Sequence, residues 1–132
     1  NGGQSWFNFG SLPSNIRNVV GLKFVNTNTG FITAILDNNT SNRYEILKST
    51  NGGLLWTSLI IKDSVVLSDI FTFDGYNIYI GGAKFTNGSP NGIILKSTNS
   101  GVNWVSQNVS NTILMQQLDL LLLNHGVSIA IY

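Results

Sequence analysis

The chain has no cysteine. Disulfides, thiolate zinc sites and cysteine nucleophiles are therefore excluded. Charge is nearly as scarce. Only 10% of the 132 residues are charged, against roughly 25% in an ordinary domain. The net charge is +1 and no basic block occurs. That removes the footprint nucleic-acid binding needs and the polybasic patch an anionic membrane surface needs. No apolar run approaches the roughly 20 residues of a membrane-spanning helix. The first residue is Asn rather than Met, and no signal-peptide pattern follows. The sequence therefore reads as a mature or excised product.

What is present is a hydrophobic fraction of 42%, enough to bury a core, in about one domain's worth of chain. Polarity comes from uncharged side chains, with 18 asparagines alone. A charge-poor surface rich in Asn, Ser and Thr favours an extracellular, cell-surface or periplasmic setting over a cytosolic one.

One stretch organises the rest. Ile46-Leu47-Lys48-Ser49-Thr50-Asn51-Gly52-Gly53-Leu54-Leu55-Trp56 returns 48 residues later as Ile94-Leu95-Lys96-Ser97-Thr98-Asn99-Ser100-Gly101-Val102-Asn103-Trp104. A truncated copy, Asn1-Gly2-Gly3-Gln4-Ser5-Trp6, opens the chain. Turn-forming Asn and Gly between apolar runs predict a hairpin at each copy. Strands are expected at 18–26, 31–36, 43–49 and 54–60, and again at 64–73, 78–82, 92–97 and 102–107. Residues 37–42 and 84–91 read as polar loops. A third cycle starts at Leu118–Leu123 and Val127–Tyr132, and a fixed offset of 96 matches Leu22 with Leu118, Gly30 with Gly126 and Ala34 with Ala130. The run 113–123 also carries a helical face, but this register favours a strand.

The expected organisation is one strand (1–10), two complete four-stranded units (17–60 and 64–109) and the first two strands of another (112–132). An antiparallel meander of about 48 residues cannot bury both faces alone, so such repeats stack on neighbours. Four strands per repeat of roughly 40–50 residues is the signature of a propeller blade. The fold class predicted is all-β, with β-propeller blades of four antiparallel strands in about 2.75 repeats.

The hairpin resembles the Asp-box, or BNR, repeat, whose pattern is Ser-x-Asp-x-Gly-x-Thr-Trp. The matching residues are Ser49, Asn51, Gly53 and Trp56, then Ser97, Asn99, Gly101 and Trp104, with Asn1, Gly3 and Trp6 in the truncated copy. The Asp is Asn each time and the Thr is replaced. Asn28-Thr29-Gly30-Phe31 ahead of Ile46–Trp56 resembles the photosystem II stability/assembly factor-like propellers more closely. The resemblance implies structural hairpins rather than an active site, with each Trp packed over its own turn. A propeller needs at least four blades. The chain is therefore expected to be part of a longer ring, to assemble with copies of itself into about five or six blades, or to take a partner strand at an open edge.

Catalytic candidates are few. His125 sits in an Asn-His-Gly turn and reads as a turn residue. The carboxylates are Asp37, Glu45, Asp63, Asp69, Asp74 and Asp119. A glycosidase needs two that face each other. Asp69 and Asp119, placed near the starts of two equivalent strands, are the least implausible pair. Arg17 and Arg43 are too few for the arginine cluster of a sialidase. No catalytic residue, metal site or cofactor is predicted. Asn38, Asn39, Asn42, Asn87 and Asn91 in the two polar loops are the candidate binding residues. The functional expectation is a non-enzymatic protein-interaction or self-assembling module. Its partner would be another copy, the remainder of a longer chain, or another protein. The alternative is a piece of an Asp-box glycoside hydrolase or carbohydrate-binding propeller.

Overall fold

A computed structural model describes residues 3–5, 10–37, 43–62, 64–109, 118–123 and 126–131. For residue 61 and for 118–131 the description is of the backbone. Among these residues there is no helix. There are ten strands in three sheets, all antiparallel. The first sheet runs in chain order through β1 (Ile16–Phe24), β2 (Gly30–Leu36), β3 (Tyr44–Ser49) and β4 (Thr57–Lys62). The second repeats that order with β5 (Val65–Thr72), β6 (Ile78–Thr86), β7 (Ser89–Ser97) and β8 (Val105–Asn108). Strands β9 (Leu118–Leu123) and β10 (Gly126–Ile131) form a pair.

The two four-stranded sheets share a register. Leu22 pairs with Ile32 and Ile70 with Ile80, while Val19 pairs with Ala34 and Leu67 with Gly82. Every one of these positions moves by 48 residues. The faces repeat as well. Phe31, Tyr44 and Ile46 on one face of the first sheet pack into a single core with Leu67, Ile70, Ile78, Ile80, Ile93 and Leu95 of the second. The opposite face of the first sheet holds Ile32, Ala34 and Leu47, the counterparts of Ile80, Gly82 and Leu95. Ile16 and Trp56 pack there. The opposite face of the second sheet presents Ile94 with Phe71, Tyr79 and Val109. Each sheet thus has a leading face and a trailing face, and leading meets trailing. This explains why residues 31–36 lack alternation. Both faces of β2 are covered, so neither side of the strand needs to be polar. Each fully buried Ile or Leu of this core contributes about 1.5–3 kcal/mol.

The first strands of the units also meet one another. β5 packs against β1, and β9 packs against β5. A hydrogen bond crosses between the sheets, from Thr33 Oγ1 to the Ser68 carbonyl at 2.9 Å.

Two expectations are corrected. Residues 84–91 are not a loop. Strands β6 and β7 continue to a two-residue turn at Asn87 and Gly88, with Thr86 opposite Ser89. Both turn residues have positive φ, 52° and 80°, which matches the right-handed twist of the flanking strands. Pro90 is tolerated because β8 reaches only to the level of Ile93, so no ladder needs an N–H at residue 90. The offset of 96 holds for the start of β10, at Gly126 as β2 starts at Gly30, but not for the pairing of β9. Gly126 pairs with Leu123 and Leu118 with Ile131, three residues from the register of Gly30 with Phe24. The four consecutive leucines of 120–123 carry no period-two signal, so nothing in them opposes such a slip.

Candidate functional site

The signature hairpins carry the same hydrogen bonds twice. Ser49 Oγ accepts from Gly53 N at 2.8 Å and Asn51 N at 3.3 Å, and donates to Asn51 Oδ1 at 3.0 Å. Asn51 Oδ1 also accepts from Leu55 N at 2.9 Å. In the second copy Ser97 Oγ accepts from Gly101 N at 2.9 Å and Asn99 N at 3.3 Å, and donates to Asn99 Oδ1 at 3.1 Å. Asn99 Oδ1 accepts from Asn103 N at 2.8 Å. The turn needs two successive left-handed residues. These are Gly52 and Gly53 at φ 73° and 93°, then Ser100 and Gly101 at 58° and 87°. Trp56 and Trp104 lie beside Gly53 and Gly101, and Trp104 Nε1 donates to the Gly101 carbonyl at 2.9 Å. The side-chain oxygens of Ser49, Asn51, Ser97 and Asn99 are therefore engaged by their own turns. Asn1 and Trp6 lie outside the described residues. Gly3 has φ 83°, like Gly53 and Gly101.

The hairpins are tied to the turns between the first two strands of each unit. Gly52 N donates to the Asn28 carbonyl at 2.8 Å, and Ser100 N to the Tyr76 carbonyl at 3.1 Å. In those turns Asn26 Oδ1 accepts from Asn28 N and Thr29 N at 2.9 and 2.8 Å. Asp74 Oδ1 accepts from Tyr76 N and Asn77 N, both at 2.8 Å. Asp74 Oδ2 takes the Asn77 side-chain amide at 2.7 Å. The backbone and side-chain amides of Asn77 and the Tyr76 N–H hold the Asp74 carboxyl below its usual range.

Where the turns of both sheets meet, they line a cleft of about 240 Å³. Thr29, Lys48, Thr50, Asp74, Ser100 and the exposed Tyr76 are among the residues that line it. Lys48 Nζ stands 5.4 Å from the centre of the Phe31 ring, as Lys96 Nζ stands 5.5 Å from that of Tyr79. Sequence reading placed Thr29, Asp74 and Tyr76 between strands and Lys48 within one, and did not foresee the cleft. It forms between units, and only the stacking of the sheets brings residues 25–29 and 48–50 to residues 74–76 and 100.

The structure places the other candidates apart from this cleft. Asp69 lies in the middle of β5 rather than near its start, and one of its oxygens accepts from Ile70 N at 2.8 Å. Asp119 falls second in β9, where its backbone pairs with Ala130. Asn87 and Asn91 belong to the β6–β7 hairpin, and Asn91 Nδ2 donates to the Ser89 carbonyl at 3.3 Å. A candidate binding loop is thus a strand-ended turn. Asn38, Asn39, Asn42 and His125 lie outside the described residues. Among the described residues no group of three His, Asp or Glu side chains could hold a metal ion. The buried Glu45 Oε2 and Ser68 Oγ have no hydrogen-bond partner among the described residues.

One flank of β1 is apolar and exposed. Register equivalence gives it an internal reference. Leu22 is 55% exposed and Ile70 is 2%; Val19 is 42% exposed and Leu67 is 1%. Val20 is likewise exposed where Ser68 is buried. The difference is the neighbour. β5 turns these positions toward β1 and the first sheet, whereas among the described residues no strand stands before β1 in that place. Phe24 continues the same face of β1 and packs its edge on Trp56, centroids 6.0 Å apart at 74°.

A scan of protein-family models and searches of curated proteins and of solved structures return no match to this chain.

Proposed function

We propose that the chain is a run of Asp-box-type propeller blades that works as a protein-interaction or self-assembling module, not as an enzyme, in an extracellular or periplasmic setting. The observation that carries this reading is the exposed flank of β1, apolar at Val19, Val20 and Leu22, in a fold that buries the same positions one unit later. Apolar surface of this kind, contiguous along a strand, is what an interface covers. The two hairpins fit a structural role, since their polar atoms are spent on the turns themselves. Binding of an apolar fluorescent dye tests the reading. Dilute wild-type chain binds the dye, and Leu22→Ser reduces that binding without loss of the folded state. Equal dye binding by both proteins would count against an interface at this flank.

A second reading follows from the cleft. A cleft lined by the hydroxyl-bearing residues Thr29, Thr50 and Ser100 and by the exposed Tyr76 has the residue types of a carbohydrate subsite. Binding to a panel of glycans that is lost on Tyr76→Ala supports it. Hydrolysis of a reporter glycoside that is lost on Asp69→Ala or Asp119→Ala would replace the non-enzymatic reading altogether.

A further inference from the structure

We infer that Asn87 is a self-modification site, at which the folded chain converts its own asparagine to aspartate or isoaspartate through a cyclic imide. The other described Asn-Gly pairs are held against the same reaction by hydrogen bonds and burial.

An asparagine followed by glycine can react with its own backbone, because glycine has no side chain to shield its nitrogen. The glycine nitrogen attacks the side-chain carbonyl carbon of the asparagine. A C–N bond forms, the N–H proton passes to solvent, and Nδ2 leaves as ammonia. Water then opens the imide at either carbonyl. One opening restores the main chain with an aspartate, and the other routes the main chain through Cβ as isoaspartate. Water is the only co-reactant.

Asn-Gly pairs stand at Asn1-Gly2, Asn51-Gly52, Asn87-Gly88 and Asn91-Gly92, and the first lies outside the described residues. The others differ in what must give before the two groups can meet. Asn51 Oδ1 accepts from Leu55 N at 2.9 Å and from Ser49 Oγ at 3.0 Å, and Gly52 N donates to the Asn28 carbonyl at 2.8 Å. Both reacting groups are engaged elsewhere. Asn91 stands in the β6–β7 ladder opposite Lys84. Its Gly92 is buried opposite Ala83, with the Gly92 carbonyl accepting from Val109 N at 2.9 Å.

Asn87 and Gly88 form the tip of a hairpin that runs past the end of β8, and residues 84–89 are exposed throughout. A Cβ placed on Gly88 would meet nothing within 4 Å. At φ 52° Asn87 lies in the left-handed well, where ψ is about +47° and the following N–H points away from the residue's own side chain. The turn must therefore open before the ring can close. Opening it uncovers no buried side chain and breaks none of the ties that hold Gly52 and Gly92, so this turn opens at the least cost. The product carries a carboxylate at the hairpin tip and cancels the chain's net charge of +1.

Peptide mapping by mass spectrometry, on chain kept folded in mildly alkaline buffer, tests the inference. Asn87 is expected to convert at least roughly tenfold faster than Asn51 or Asn91 and to yield both aspartate and isoaspartate. In urea, where every pair is open, the rates at the three positions should draw together. Equal rates in the folded chain, or a faster rate at Asn51 or Asn91, would overturn the inference. A preference for Asn87 that persists unchanged in urea would assign the selectivity to local sequence rather than to the fold, and would overturn it too. Aspartate as the sole product would overturn the cyclic route, since direct hydrolysis of the amide needs no imide. Asn87→Gln lengthens the side chain and disfavours the ring, so the acidic form seen on ion exchange should vanish. An acidic form that persists in this variant would place the conversion elsewhere and contradict the assignment.

Discussion

Leu22 and Ile70 occupy one position of a repeated sheet, paired with Ile32 and Ile80 respectively, yet Leu22 faces solvent and Ile70 is buried. Register and strand order are shared between them. What differs is that the first sheet packs on the leading flank of β5, while among the described residues no strand packs on that of β1. The comparison separates what a unit provides for itself from what its neighbour must provide. Hairpins, turns and pairing are internal to the unit, whereas cover for its leading flank is supplied from outside.

The self-contained part is open to test at the hairpins. Ser49 serves two backbone N–H groups and one side chain, and Ser49→Ala leaves the Gly53 N–H buried without its acceptor. The expected loss is about 1–3 kcal/mol in urea unfolding. Asn51→Asp keeps the acceptor that serves Leu55 N and Ser49 Oγ, so its stability should stay within about 0.5 kcal/mol of wild type.

The two hairpins differ at one strained position. Gly52 takes a left-handed conformation freely, whereas Ser100 takes it with a side chain attached, at φ 58°. Ser100→Gly should therefore stabilise the second unit by up to about 1 kcal/mol, read as a rise in melting temperature. The reverse change, Gly52→Ser, should lower it.

Between the sheets, Thr33 Oγ1 donates to the Ser68 carbonyl, and both groups are buried. Thr33→Val keeps the shape and removes the donor, at an expected cost of about 1–3 kcal/mol in equilibrium unfolding. Ser68→Ala should be neutral or stabilising. The Ser68 hydroxyl is buried without a partner, while the carbonyl that Thr33 uses belongs to the backbone and remains.

Asp74 gives the chain a pH response of known sign. Its folded pKa lies below the ordinary value, chiefly because of the Asn77 N–H groups. The contribution is complete above the unfolded pKa and is lost as pH falls through the ordinary carboxylate range, below about pH 4, toward the folded value. The group is exposed, so solvent screening keeps the effect small. Asp74→Asn should flatten that part of the acid-unfolding curve while the turn persists, since Asn26 holds the equivalent turn in the first sheet with an amide oxygen.

Much of this fold was legible because it is written twice. Ile46–Asn51 and Ile94–Asn99 are identical, and that identity fixed both the hairpins and the four-strand unit around them. The β6–β7 turn was missed because Gly88 and Pro90 weighed the stretch toward a loop. The signal was there in Asn87-Gly88, the dipeptide that a tight hairpin favours. The register of the third unit was illegible because a run of leucines has no polar side to place. Nor does sequence say which of several apolar strands lacks a neighbour. Val19 and Leu22 look no more exposed in the sequence than Leu67 and Ile70. The cleft was hidden for a related reason, since it belongs to the stacking of two units and to neither alone.

The absence of native cysteine makes one measurement decisive for the open flank. Leu22→Cys and Ile70→Cys place a single thiol at the two equivalent positions, and a thiol-reactive probe reports how fast each is modified. At low protein concentration the account predicts rapid labelling at position 22 and strong protection at position 70. As concentration rises, labelling at 22 should slow toward that at 70. Equal labelling of both thiols in dilute protein, or a rate at position 22 that does not change with concentration, would contradict it.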